Sequence, residues 1–404
     1  MRRAAPFLCV CALAALVPAC HETTTEVVYV TGLLVTPADT AIRQGGSLQL
    51  RASLVDTAGH PVLDVPAAFA SSDSSVARVS ASGLLTTRGP LGGVIVTASY
   101  SRFEAAAFVR VFDSTLSASL ELSARPFGVA VSAQNIVYVT RLDAAALARI
   151  DLPTAGFSGS VAAGSIPTDV AFTHDGKTAY VANQFSDNVG VVDVRRDMQV
   201  DVIPVIGDPF DVIVAPDDQT IFVSTNVDTV YRINPVAKTV VAKFGLPTVF
   251  GVVLTGLTFN RDGTLLYAST RAAGTVIEYS VTANVVLRTI PVGGQPQGVA
   301  VSPDGTELYV ADETGSQLLV WDLTANALTA SVPLGGSPFD LKLTPDDAQI
   351  YVGIRTSGQV QVFDRVTRAL ARTIPTQGMP RRIAFAASGM AVVANEAGWV
   401  DLVK

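Results

Sequence analysis

An all-β protein of two units is what this sequence predicts, and three observations carry the prediction. The chain has 404 residues, 49% hydrophobic and only 16% charged, enough apolar side chain for a sizeable core and too much for wholesale disorder. Its apolar residues are mostly Val, Ala, Leu and Ile, with 32 Gly and 22 Pro scattered among them, a mixture that favours strands and turns over helices. Residues 27–113 carry strand-length alternations between Gly, Asp and Ser turns, and from Pro126 onward a unit of about 42 residues recurs seven times. The first pattern predicts a β-sandwich. The second predicts a seven-bladed β-propeller over residues 115–404, because this period is the length of a four-stranded blade.

The N-terminus reads as a targeting segment. Arg2 and Arg3 precede an apolar run from Ala5 to Val17, too short for a permanent membrane helix, which stops at "LVPAC". Residues 1–19 resemble a bacterial lipoprotein signal, with Pro18 an unusual occupant of its box. The resemblance implies that Cys20 becomes the lipid-modified first residue of the mature chain. The residue after it is His21, so the acidic residue associated with inner-membrane retention in some bacteria is absent. That points to the outer membrane or the cell surface. The other two cysteines, Cys9 and Cys11, leave with the signal, so no disulfide and no Cys-based catalytic or zinc site is expected. Removing residues 1–19 leaves 26 basic against 35 acidic side chains, a net charge of −9. Attachment to the membrane would then rest on acyl chains and not on charge. Without a basic stripe, nucleic acid is excluded as a partner.

Residues 20–26 are a short polar tether. The sandwich strands over 27–113 include "SLQLRASLVD", "VARVS", "GVIVTASY" and "AAAFVRVF". This segment is similar to the group 2 bacterial immunoglobulin-like domains, chiefly through "SSDSSVARVSASGLLTT". Phe69 stands where that family usually places a Trp. The resemblance implies a spacer or adhesion module.

Each propeller unit opens on a Pro: "RPFGVAV" at Pro126, "IPTDVAF" at Pro167, "DPFDVIV" at Pro209, "QPQGVAV" at Pro296, "SPFDLKL" at Pro338 and "MPRRIAF" at Pro380. A variant unit, "LTGLTF", puts Leu254 in the Pro slot. The successive spacings are 41, 42, 45, 42, 42 and 42 residues. Within each unit an apolar inner strand is followed by a hairpin, often Asp-Gly, as at Asp175–Gly176, Asp262–Gly263 and Asp304–Gly305. Glycine suits turns that need positive φ. The second strand carries a word such as "LYVAD", repeated as "VYVTR", "AYVAN", "IFVST", "LYAST", "IYVGI" and "AVVAN". The third ends near an Asp (Asp193, Asp322, Asp364). Residues 115–404 thereby resemble the YVTN family of seven-bladed propellers found in bacterial and archaeal surface proteins. The ends predict closure: residues 117–124 read as a fourth strand without the three before it, and 383–403 as three strands without a fourth. Joining them removes the exposed edges of an open array.

Catalytic signatures are scarce. There is no HExxH, no Gly-rich phosphate loop and no GxSxG elbow. His174, beside the Asp175–Gly176 turn, reads as a solvated turn residue. Propellers bind at the mouth of the central channel, and two rings of the repeat face it. Two places after the Pro come Gly128, Asp169, Asp211, Gly256, Gly298, Asp340 and Arg382. After the YVA-type word come Arg141, Asn183, Thr225, Thr270, Asp312, Ile354 and Asn395. The candidate ligand-binding residues are Asp169, Asp211, Asp340, Arg382, Arg141, Asn183, Asp312 and Asn395. The three inner-ring carboxylates are the weak metal candidates, through oxygen ligands. The alternative is that each Asp bonds the backbone of its own turn. Phe127, Phe210 and Phe339 of the "PF" pairs are read as packing between blades or as an apolar rim. Arg141, Arg271, Arg355 and Arg382 offer an anion site or a solvated rim.

The expected function is binding or scaffolding at the cell envelope, by a monomeric lipid-anchored chain without cofactor whose partner is a protein or a glycan. The main rival is a lactonase-like or other hydrolytic propeller using Asp169, Asp211 and Asp340. The third reading is a self-associating surface-layer component.

Overall fold

The computed structural model describes residues 29–227, 229–245 and 254–404. The expected signal segment, Cys20 and the expected tether lie outside the described residues. Among those residues no helix is long and apolar enough to cross a membrane.

Residues 32–112 form three small sheets around their own core. A four-stranded sheet orders Asp39–Arg43, Phe103–Phe112, Gly92–Tyr100 and Ala68–Ser71. Two three-stranded sheets comprise Gly32–Thr36, Arg51–Val55 and Pro61–Asp64, and Ser47–Gln49, Leu84–Thr87 and Ala77–Val79. The period-two pattern explains the packing. Along Gly92–Tyr100, Val94, Val96 and Ala98 are buried while Gly93 and Ile95 between them are exposed. They meet Val35, Leu50, Leu85 and Val109, with Phe69 packed on the side.

From Pro126 the chain folds as a β-propeller. Six consecutive four-stranded antiparallel sheets begin on the strands Pro126–Val131, Pro167–Phe172, Pro209–Val214, Leu254–Phe259, Pro296–Val301 and Pro338–Leu343. A seventh takes Pro380–Phe385, Ala391–Asn395 and Trp399–Val403 from the C-terminal end and Leu116–Glu121 from before the first sheet. Leu116–Glu121 runs antiparallel to Trp399–Val403, with Leu120 opposite Val400.

The word "YV" has a physical meaning in this arrangement. Successive side chains on a strand point to opposite faces, so the aromatic and the Val serve two different neighbours. Tyr309 packs with Leu341 and Ile350 of the following sheet, whereas Val310 packs with Tyr267 and Val276 of the preceding one. Tyr180 and Val181 divide in the same way, as do Tyr351 and Val352. The last interface, joining Val392 and Val400 to Val129, Val137 and Ile150, closes the ring. The Asp-Gly turns place Gly176, Gly263 and Gly305 at φ of 67°, 72° and 73°, and Asn135, Asp218 and Asp347 take the same left-handed conformation in other sheets.

The first unit leans on the outer strand of the seventh sheet. Phe112 shares a cluster with Leu116, Tyr351, Val360 and Val403. Arg43 Nη2 donates to the carbonyls of Leu116 and Ser117 at 2.9 and 2.8 Å. Arg110 is buried there, bonded to Ser119, 2.5 Å from Glu121 Oε1 and 4.1 Å above the Trp399 ring. Ser119 in turn bonds the buried Asp401.

Candidate functional site

Every inner strand carries a bulge just after its first residue, as between Pro167 and Asp169 or between Pro380 and Ile383. A bulge re-aims side chains locally. Here it delivers the residue two places after the Pro to the crowded axis. The crowding is severe: a Cβ on Gly128 would lie 2.6 Å from the carbonyl oxygen of Thr168, and one on Gly298 2.7 Å from the nitrogen of Leu341. With glycine at three of the seven positions, the four charged side chains have room to cross the channel.

Asp169, Asp211, Asp340 and Arg382 are thus brought together, and all four are buried, Asp340 at 1% exposure and Arg382 at 5%. Each carboxylate stitches its sheet to the next one. Asp169 Oδ2 accepts from the amide of Val212 at 3.2 Å, Asp211 Oδ2 from Leu257 at 2.9 Å and Asp340 Oδ2 from Ile383 at 3.0 Å. Arg382 spans the axis. Its guanidinium lies 3.5 Å from Asp211 and 3.8 Å from Asp340, and donates to the carbonyl of Thr255 at 3.2 Å. Burial, and then the charge of Asp211, push the Asp169 carboxyl well above the usual range. Burial also opposes the charge of Asp211, but Arg382 and the hydrogen bond from Asp169 outweigh it and hold Asp211 low. These opposite directions assign the proton of the pair to Asp169. The opposing carboxylates hold the Arg382 guanidinium above its ordinary range despite burial.

The sequence placed these four at an open mouth; they lie instead inside the channel, with the Arg382 guanidinium between Asp211 and Asp340. The bonds also run to the neighbouring sheet and not to each Asp's own turn. Among the described residues, no group of three or more His, Cys, Asp or Glu side chains is placed to hold a metal ion.

Above this ring Phe127, Phe210 and Phe339 converge from the first, third and sixth sheets. Phe127 meets Phe210 and Phe339 edge-on at 5.9 and 5.5 Å between centroids. Arg381 lies over Phe127 and Phe339 at 5.3 and 4.7 Å, and Arg382 over Phe210 and Phe339 at 5.8 and 5.6 Å. The three rings pack across the axis, neither between blades nor as an exposed rim.

The second ring does not join the first. Asn183 Oδ1 accepts from the amide of Gly164 at 3.0 Å, Asp312 Oδ1 from Gln295 at 2.8 Å and Asn395 Oδ1 from Met379 at 2.8 Å. Each ties the loop entering its own sheet to the second strand. Arg141 likewise bonds Ser123, at 3.1 Å from the carbonyl and 3.0 Å from the hydroxyl. His174 is exposed, yet its Nδ1 lies 2.7 Å from Asp218.

Of the charged groups left at the mouth the sequence singled out Arg271 and Arg355, but not the glutamate they share nor the second set around Glu396. Glu313 is shared by Arg271 at 2.9 Å, Arg355 and Gln297. Glu396 is shared by Arg381 and by Arg125, whose guanidinium also lies 3.4 Å from Asp143. Burial works against both glutamates, but their donors prevail and hold each carboxyl below its ordinary range. A signal was available: only "YVADE" and "VVANE" place an acid directly after the loop residue of the word.

A family model described as YNCE-like beta-propeller matches residues 126–306. Among solved structures, the chain is similar to hydrazine synthase of Kuenenia stuttgartiensis, with a TM-score of 0.64 and 20% identity, over 72% of this chain and 98% of that one. At that identity the likeness speaks for the β-propeller fold alone. No curated protein matches.

Proposed function

We propose that this is an exported, lipid-anchored envelope protein, in which an immunoglobulin-like spacer carries a seven-bladed propeller whose mouth binds a partner. One observation favours binding over hydrolysis. The carboxylates that a hydrolytic site would draw on are buried and engaged with backbone amides and Arg382. The mouth, in contrast, holds guanidiniums that outnumber the glutamates between them. A partner surface is recognised by such groups, whereas an activated water needs an accessible base or metal.

The test captures partners from solubilised envelope with immobilised chain, beside an Arg271→Gln, Arg355→Gln double variant. A partner held by the wild type and lost by the variant supports recognition at the mouth; equal capture by both sinks it. Labelling with a radioactive fatty acid tests the anchor. Label must enter the wild type and be lost in Cys20→Ser. A second reading, self-association, draws on the exposed apolar residues of the outer strands, among them Met198, Val200, Val286 and Leu370. Sedimentation of the delipidated chain across a range of concentrations decides it.

A further inference from the structure

The mouth has two unlike halves. In the half formed by the fourth, fifth and sixth sheets, Glu313 lies between Arg271 and Arg355, so one carboxylate answers two guanidiniums. Two polar atoms there are buried without partners: Nε of Arg355 and Oε1 of Gln297, a side chain itself only 4% exposed. Arg381 is close enough for the charges of Arg355 and Arg125 to oppose its own, after burial, and together they lower its pKa despite Glu396. An uncompensated donor array of this kind favours a carboxylate, which a guanidinium can take in a bidentate fork. Gln297 Oε1 supplies an acceptor beside it, suited to an amide N–H.

The other half presents exposed apolar side chains, with Asp187 and Asp208 on the same loops. Phe185, Ile206 and Val227 come from successive loops of the second and third sheets and are 69%, 73% and 51% exposed. Their loops are joined. Asp187 Oδ1 accepts from the amides of Gly207 and Asp208 at 3.0 and 3.1 Å, and a Cβ on Gly207 would touch the side chain of Val227. Three large apolar side chains on joined loops, each more than half exposed, mark a contact site rather than scattered exposure.

We infer that the mouth binds a peptide segment that is aliphatic on one side and acidic on the other. The aliphatic side chains cover Phe185, Ile206 and Val227, and the carboxylates reach Arg355 and Arg271. A peptide supplies what both halves ask for: apolar side chains, carboxylates and backbone N–H groups. An acidic glycan supplies no aliphatic side to cover the apolar half. This inference rests on the proposal that the mouth is the binding face, and it names the partner class.

The test uses the full chain in detergent and three probes: a short, terminally blocked peptide with a leucine half and an aspartate half, its asparagine counterpart, and an oligogalacturonate of equal charge. Titration calorimetry is expected to show binding of the aspartate peptide only. Because hydrogen bonds to charged groups are worth about 1.5–3 kcal/mol, Arg271→Gln with Arg355→Gln should weaken it about tenfold or more. Phe185→Ser, an exposed change that leaves the core intact, should weaken it several-fold. Oligogalacturonate binding as tightly as the peptide, or full affinity in Phe185→Ser, overturns the peptide assignment in favour of a purely anionic site. No binding of any probe overturns it too. The broader reading then survives only if envelope capture still depends on Arg271 and Arg355.

Discussion

The axis and the mouth of this propeller use the same two kinds of charged group to opposite ends. At the axis Asp169, Asp211, Asp340 and Arg382 are buried, the three carboxylates bonded to amides of neighbouring sheets and Arg382 ion-paired with Asp211 and Asp340. At the mouth Glu313 and Glu396 are each shared between two guanidiniums, and Arg125 remains 50% exposed. At the axis both signs of charge are buried; at the mouth Glu313 and Glu396 are buried too, but Arg271, Arg355 and Arg125 keep part of their guanidiniums exposed. The bulge in the inner strand turns the first set inward, while Arg271, Glu313 and Arg355 stand on the turns after the second strands.

Five substitutions sharpen or break this contrast, beginning with the largest expected effect. Arg382→Met removes the guanidinium that faces the axial carboxylates and should cost about 3–5 kcal/mol, read by chemical denaturation. A cost below about 1 kcal/mol would mean the axial pairs are not coupled. Asp211→Asn should cost more than Asp169→Asn. The first deletes the charge facing Arg382, while the second replaces a group that already carries a proton and can still donate. The expected difference is about 2 kcal/mol, and equal costs would refute the assignment of the proton to Asp169.

Asp401 extends the comparison to the seam. Burial first of all pushes its carboxyl up to about 7, against the pull of Arg110 and Ser119. The native state therefore binds this proton more tightly than the unfolded chain does. Its stabilising contribution is present in full below the unfolded value near pH 4 and is lost as pH rises through about 7. Wild type should lose stability relative to Asp401→Asn between about pH 4 and pH 7; parallel curves would contradict this. The smallest effect belongs to the mouth. Arg271→Gln should change stability by about 1 kcal/mol at most, since its pair with Glu313 is partly exposed. A larger loss would make the mouth structural, like the axis.

Much of this was legible before any coordinates. The Pro-led repeat marks the residues that begin six of the inner strands, and the "YV" alternation follows from strand geometry alone. The inner-ring residues could be named because the period is regular. Their depth could not be read. It depends on the bulge that turns Asp169 and its cognates inward, and on the close approach at Gly128 and Gly298, neither of which a one-dimensional pattern encodes. Partners were illegible for a related reason. Glu313 meets Arg271 and Arg355 from adjacent repeats, a full unit away on either side, so no local motif records the trio. The aromatic "PF" residues misled for the opposite reason. They sit next to each other only because three positions spread around a ring, in the first, third and sixth sheets, point at one axis.

The seventh sheet has a consequence in time. Ser119 and Asp401, which bond across its seam, are 282 residues apart, and the strand Leu116–Glu121 lies at the opposite end of the repeat array from its partner Trp399–Val403. While the chain folds, that first strand waits without a mate until the C-terminal strands are in place. Its buried face, Leu116 above all, would then be open to solvent but for the earlier unit, which is already available to hold Phe112, Arg43 and Arg110 against it. On this view the N-terminal unit acts as an intramolecular chaperone, keeping a place for the last strand to arrive.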